Sequence, residues 1–250
     1  MEKTMANYYG SLCTEMYEIL HKEAPQEELD FYLSYAKKGM SILEPLCGSG
    51  RFFVPFLEKG FTIKGVDRSA EMLDQLLKKA PDAAVVHSGI EEYAPSERFD
   101  YIFIPSGSVS LFTDPVSCGS MLAKMKSLLK KEGKFVFAVD TVACRCPDSE
   151  EYTERIAVET REKYRLVLKS KSHYEEATHT QYSPSRYALY DGDTLLRQEE
   201  MDFQTHLYEL GEMEALLHEI GFTNVAVYSS FTKEIARTNE AEMFLYECSR

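Results

Sequence analysis

Between residue 40 and about residue 140, short apolar runs alternate with segments of helical periodicity. Ser41-Ile42-Leu43, Thr62 to Val66, Ala84-Val85-Val86, Tyr101 to Ile104 and Lys134 to Val139 read as five strands. Gly50 to Lys59 sets Phe52, Phe53, Phe56 and Leu57 at helical spacing. Ser69 N-caps a helix striped with Met72, Leu73, Leu76 and Leu77, and Asp114 to Lys131 is a third helix. Strands that are apolar throughout must be covered on both faces, so the alternation predicts an α/β fold with a mostly parallel sheet between helices.

The pattern changes after residue 150. Residues 152–208 alternate at period two, as in Tyr164-Arg165-Leu166-Val167-Leu168, and Asp191-Gly192 is a hairpin turn signal. This predicts three or four antiparallel strands rich in tyrosine. A helix (Glu212 to Ile220) follows, then a strand (Val225 to Tyr228) and a final strand (Met243 to Tyr246) joined by a short connection, hence antiparallel. Glu15 to Leu20 and Gln26 to Lys37 read as helices ahead of the sheet. The 250 residues are thus expected to form one domain: cap helices over 1–40, a ligand-binding core over 41–150, an antiparallel insert over 151–208 that serves as lid or dimer interface, and the rest of the core over 209–250.

A hydrophobic content of 44% supports a sizeable core, and no apolar run reaches the roughly 18 residues of a membrane span. The start, Met1-Glu2-Lys3-Thr4, lacks a secretory profile, so a cytoplasmic protein is expected. A net charge of −13 argues against nucleic acid and anionic membranes as partners. The six cysteines have no C-x-x-C pair and are expected to be reduced.

The chemistry is carried by Glu44-Pro45-Leu46-Cys47-Gly48-Ser49-Gly50, which follows the first strand and opens a helix. Gly48 and Gly50 permit a sharp turn with close backbone approach, and the helix start presents free N–H groups. Asp67 ends the second strand, where a carboxylate accepts hydrogen bonds from ribose hydroxyls. A nucleoside-bearing cofactor is implied. Phe53 stands where dinucleotide binders need a third small residue, and Glu44 would repel a pyrophosphate. It would attract an ammonium and a sulfonium, both of which S-adenosylmethionine carries.

From Ile42 onward the sequence resembles the class I S-adenosylmethionine-dependent methyltransferases. Ile42-Leu43-Glu44-Pro45-Leu46-Cys47-Gly48-Ser49-Gly50-Arg51 is close to the family form E/D-x-x-C-G-x-G, and Gly65-Val66-Asp67-Arg68-Ser69-Ala70-Glu71-Met72-Leu73 to G-x-D-x-S-x-x-M-L. Phe99 to Phe103 before a Ser/Gly loop, Leu128 to Val136, and the tail with His206-Leu207-Tyr208 and Gly221-Phe222 also match. The resemblance implies a Rossmann-like seven-stranded sheet with its last strand antiparallel. It implies that Glu44, Cys47, Gly48, Ser49 and Gly50 surround the methionine part of the cofactor, and that Asp67 binds the ribose. Arg68 or Met72 would flank the adenine, with Gly89, Ile90 and Glu91 near its amino group. Ile90 stands where the family usually has an acid, so backbone groups would replace that contact. Pro105 and Ser106 mark where cofactor and acceptor meet. The inserted strands are similar to those of glycine N-methyltransferase-like and amino-sugar N-methyltransferase enzymes, which points to a small-molecule acceptor, an amine among the options, and to S-adenosylhomocysteine as product.

The (N/D)-P-P-(Y/F) motif and an Asp-Asn pair at the fifth strand are absent, so no metal is expected. Methyl transfer is an in-line displacement that the protein aids by alignment and exclusion of water. A base is needed only for acceptors that must lose a proton. His206, His179, Asp140 and several tyrosines are candidate bases, with His206 and Tyr17 put forward as catalytic. Tyr8, Tyr9 and Tyr17 either close over the cofactor or pack the first helix on the sheet. Two rival readings stay open: a non-catalytic module that binds S-adenosylmethionine or S-adenosylhomocysteine, and an NAD-dependent oxidoreductase.

Overall fold

A computed structural model describes residues 6–250. The chain begins with α1 (Ser11–Leu20), α2 (Gln26–Leu33), β1 (Ser41–Pro45), α3 (Phe53–Glu58), β2 (Thr62–Asp67), α4 (Ala70–Lys79), β3 (Val85–His87) and β4 (Phe99–Ile104). It continues through α5 (Pro115–Leu128) and β5 (Leu129–Asp140) into β6 (Ser149–Glu159), β7 (Arg165–Glu175), β8 (Thr180–Tyr182), β9 (Ser185–Asp191), β10 (Thr194–Met201) and β11 (Gln204–His206). It closes with α6 (Glu212–Ile220), β12 (Thr223–Tyr228) and β13 (Met243–Ser249).

The expected sheet is present, with seven strands in the order β12-β13-β5-β4-β1-β2-β3. β1 pairs in parallel with both β2 and β4, and β13 is antiparallel to β5 and β12. Strand order reverses between β1 and β4, so the loops leaving β1, β2 and β4 meet above that point, where open α/β sheets bind ligands. Local chemistry fixes the helix starts. Ser69 Oγ accepts from Met72 N at 3.1 Å, and Asp114 caps α5 through Ser117 N with Pro115 in its first turn.

One face of the sheet packs against α5 and α6 through Met121, Leu122, Met125 and Leu217, all buried. The other packs against α2, α3 and α4 through Tyr32, Phe53, Phe56, Leu73 and Leu76. Tyr101 and Phe103, alternate residues of β4, both lie in this second core, and Phe56 stacks on Phe103 with ring centroids 4.7 Å apart.

The insert is larger than its sequence pattern suggests. It has six strands, in the order β10-β9-β7-β8-β11, with β6 paired to β7. β8 and β11 have only three residues each, too short to show a period-two signal. The first helix starts at Ser11 rather than Glu15 and packs on the insert rather than on the main sheet. Its Leu12, Cys13 and Met16 share a small core with Leu166, Tyr187 and Met201. Among the described residues, no helix is long and apolar enough to cross a membrane.

Candidate active site

The loops after β1, β2, β3 and β4 line one cavity of about 350 Å³, within the usual range for small-molecule sites. The turn after β1 runs through left-handed backbone at Leu46 (φ 57°), Gly48 (φ 50°) and Gly50 (φ 82°). The turn after β4 does the same at Ser106 (φ 55°) and Gly107 (φ 68°). Leu46 and Ser106 carry side chains in a region costly to them, on the order of 1–3 kcal/mol each, so strain is concentrated at the cavity wall.

The two glycines after β1 have different tasks. A side chain on Gly48 would meet nothing within 4 Å, and the residue lines the cavity, which leaves room there for a ligand. A side chain on Gly50 would strike Leu76 of α4. Gly50 does not line the cavity, contrary to the direct contact expected of it. It lets α3 and α4 approach closely.

Two polar groups in the cavity wall lack partners. Glu44 is 2% exposed, and among the described residues its Oε2 makes no hydrogen bond; Ser49 Oγ is likewise buried and has no partner among them. Burial pushes the Glu44 carboxyl well above the usual carboxylate range, and Asp67 adds to the rise. Native proteins seldom leave such groups unsatisfied, so the pair marks a place where a polar ligand completes the site. Asp67 is anchored at both oxygens: Gly48 N donates to Oδ2 and Ser69 N to Oδ1, each at 2.8 Å. The carboxylate therefore ties the first glycine turn to the start of α4. Burial still raises its pKa, against those two bonds.

These features fit S-adenosylmethionine: an orphaned carboxylate for an ammonium, an open glycine for the amino-acid portion, and an anchored acid at the end of β2 for ribose. Cys47, Met72, Gly89, Ile90, Glu91, Pro105 and Ser106 line the same cavity. Arg68 lines it too, but its guanidinium donates to the carbonyls of Ala6 and Asn7, which argues against an adenine-flanking use.

Those carbonyls belong to a strap over the cavity. Asn7 Nδ2 donates to Leu111 O (3.0 Å) and Gln204 O (2.8 Å), and its Oδ1 accepts from Gln204 N. Ser69 Oγ donates to Tyr9 O, and Tyr8 donates to Glu71. Tyr9 and Tyr17 both line the cavity and meet edge to face, centroids 6.3 Å apart. Tyr9 and Tyr17 face the cavity, and Tyr9 also packs against the small core that holds α1, so each of the two readings describes part of what Tyr9 does. Burial raises the Tyr17 pKa, so its hydroxyl stays protonated and supplies a donor and an aromatic face rather than a base.

His206, put forward as catalytic, does not line the cavity. The short pairing of β11 with β8 turns its ring toward α6, where Nε2 lies 2.6 Å from Glu212 Oε1. Two carboxylates stand behind the turn after β4; like His206, neither is among the residues that line the cavity. Glu28 of α2, buried, accepts from Ser106 N at 2.7 Å and from Ser106 Oγ at 3.2 Å. Asp140, at the end of β5, lies against Gly107, where any side chain would collide with its carboxylate. Asp140 N donates to Ser110 Oγ and Tyr208 N to Asp140 O, so the backbone is held, while among the described residues the carboxylate accepts no hydrogen bond. Burial pushes the Asp140 pKa up to about 7, with Glu28 adding to the rise. Glu28 was not singled out from the sequence, where it is one acid among several in an ordinary helix start.

Residues 42–133 match the family model of a methyltransferase domain. A dTDP-3-amino-3,6-dideoxy-alpha-D-glucopyranose N,N-dimethyltransferase of Streptomyces fradiae is 22% identical over 138 residues, 52% of this chain and 54% of that enzyme. The chain thus aligns with about half the length of this curated relative. Among solved structures, an S-adenosylmethionine-dependent methyltransferase from Clostridium acetobutylicum superposes with a TM-score of 0.76 at 15% identity, covering 94% of this chain and 96% of that one. A sugar N-methyltransferase from a Streptoalloteichus species gives 0.74 at 17% identity, covering 100% and 98%. At these identities the structural likenesses establish a shared fold.

Proposed function

We propose that the chain is a class I S-adenosylmethionine-dependent methyltransferase whose acceptor is the amine nitrogen of a small polar molecule; the match of residues 42–133 to a methyltransferase domain supports this reading. Two of the relatives named above are, by their names, amino-sugar or sugar N-methyltransferases, which supports an amino sugar as the acceptor class.

The observation that carries the amine reading is the pair of carboxylates at the turn after β4. Glu28 is bonded to Ser106, and Asp140 sits against Gly107 with no hydrogen bond to its own oxygens. An alkylammonium is attracted by two such acids, whereas a hydroxyl acceptor would use them only as a base. When bound, S-adenosylmethionine supplies a methyl group activated by its sulfonium. Glu44 holds the cofactor's ammonium, Gly48 and Ser49 give it backbone room and a hydroxyl, and Asp67 fixes the turn and meets the ribose. Tyr9, Tyr17 and the Asn7 strap exclude water. Asp140, set behind Gly107 rather than in the cavity wall, would take the proton that the acceptor ammonium must lose once the Ser106–Gly107 turn gives access to it, and its elevated pKa suits it to accept that proton near neutral pH. Six unpaired cysteines agree with a reducing, cytoplasmic setting for this reaction.

The test is the pH dependence of kcat/KM with an amino-sugar acceptor, in wild type and Asp140→Asn. Activity should rise with pH through about 7 in the wild type. In the variant it should fall by about a hundredfold and lose that limb, while the limb of the amine itself stays. S-adenosylhomocysteine binding should be unchanged. An unaltered pH profile in Asp140→Asn would refute the role given to this carboxylate.

A further inference from the structure

Away from the cavity, two histidines and a glutamate converge from three separate elements. His179 lies in the turn between β7 and β8, His206 ends β11, and Glu212 is the first residue of α6. One donor atom from each lies within 4.8 Å of the other two. His206 Nε2 is 2.6 Å from Glu212 Oε1, and His179 Nδ1 is 3.9 Å from Glu212 Oε2. None of the three lines the cavity. Each is held from behind. His179 sits in left-handed backbone (φ 49°), and its carbonyl accepts from Leu207 N at 2.8 Å. The His206 ring packs edge-on to Tyr208 with centroids 4.4 Å apart. Glu212 Oε2 also accepts from Glu209 N.

We propose that His179, His206 and Glu212 form a binding site for a divalent transition metal ion of the zinc type, which staples the antiparallel insert to α6 of the core. Two imidazole nitrogens and a carboxylate oxygen are a donor set that zinc prefers, whereas magnesium and calcium take oxygen ligands alone. Zinc–ligand bonds of about 2.0–2.2 Å in a tetrahedron place ligand atoms roughly 3.3 Å apart. The widest ligand pair needs to close by at most about 1.5 Å and the His206–Glu212 pair to open slightly, both within the reach of side-chain rotation. The His206 side chain is 12% exposed, while those of His179 and Glu212 are 31% and 39% exposed, which leaves a fourth position to water. A cation bound by all three side chains ties three chain segments at once. The sequence gives no hint of this set, because its members are far apart and lack a ligand-spacing motif. The expectation of no metal rests on motifs of the reaction centre, and this site lies outside it.

The test is a titration of chelator-treated full-length protein with Zn²⁺, followed by calorimetry and thermal unfolding, with Mg²⁺ as control. Binding should be one to one and should raise the unfolding temperature, and Co²⁺ should give the absorption of a tetrahedral N/O site. His179→Asn, which tolerates left-handed backbone, should weaken Zn²⁺ binding at least about tenfold, as should Glu212→Gln. The metal-free unfolding temperature of His179→Asn reports whether that variant is folded. A double Cys144→Ser/Cys146→Ser variant should bind as the wild type does. The proposal is overturned if Zn²⁺ stabilises no more than Mg²⁺ does, if the effect survives His179→Asn, or if it disappears with the two cysteines.

Discussion

The residue that most exposes the logic of the site is Glu44. It is buried, unpartnered and raised in pKa by desolvation and by Asp67. A free protein gains nothing from an unpaired buried acid, so its presence is explained by a cationic ligand group. The two states should therefore respond in opposite directions to Glu44→Gln. The free protein should unfold at the same or a higher temperature. The affinity for S-adenosylhomocysteine, measured by calorimetry, should fall by about 2 kcal/mol, some thirtyfold, as expected for a lost bond to a charged group. The wild-type affinity should also fall as pH is lowered through the raised pKa, because the protonated acid no longer pairs with an ammonium, and this slope should be absent in Glu44→Gln. Glu44, Gly48 and Asp67 were legible in the sequence because their signals are local: a strand end, a turn, and a second strand end. Gly50 was read as a ligand contact because a positive-φ glycine looks the same whether it faces a cofactor or, as here, the Leu76 side chain.

At the scale of elements, the decisive feature is the N-terminal strap, which the sequence showed only as tyrosines ahead of a helix. Its anchors are long-range: Asn7 reaches Leu111 and Gln204, and Arg68 reaches back to Ala6 and Asn7. No periodicity marks such contacts. The same reason hid Glu28, whose partner Ser106 is on another element, and it misplaced His206, whose direction depends on the three-residue β11. The parallel strands were legible because each is a short apolar run between helical patterns, although β5 begins at Leu129, earlier than its apolar core suggests. Asn7→Ala removes three side-chain hydrogen bonds and places alanine at φ 55°, together about 1–3 kcal/mol of strap stability. Hydrogen exchange over residues 6–10 should then quicken while β1 and β4 keep their protection. S-adenosylhomocysteine should dissociate about tenfold faster in stopped flow. Unchanged dissociation would show that the strap does not close the site.

At the scale of the whole molecule, two sheets divide the work. The parallel sheet gives a rigid platform whose strand ends carry Glu44, Asp67 and the Ser106–Gly107 turn. The antiparallel sheet meets it through α1, the strap and the contact of His206 with α6. The excess of acidic side chains, −13 in all, becomes local chemistry at one place, where Glu28 and Asp140 flank the turn after β4. That placement is the central claim, since it decides which acceptor atom the enzyme methylates. The most direct test supplies methyl-labelled S-adenosylmethionine with a matched pair of acceptors, an amino sugar and the same sugar bearing a hydroxyl in place of the amine, and reads the label by mass spectrometry. The account predicts label on the amine alone, with S-adenosylhomocysteine formed in equal amount. Label on the hydroxyl compound, at a rate equal to or above that of the amine, would contradict it.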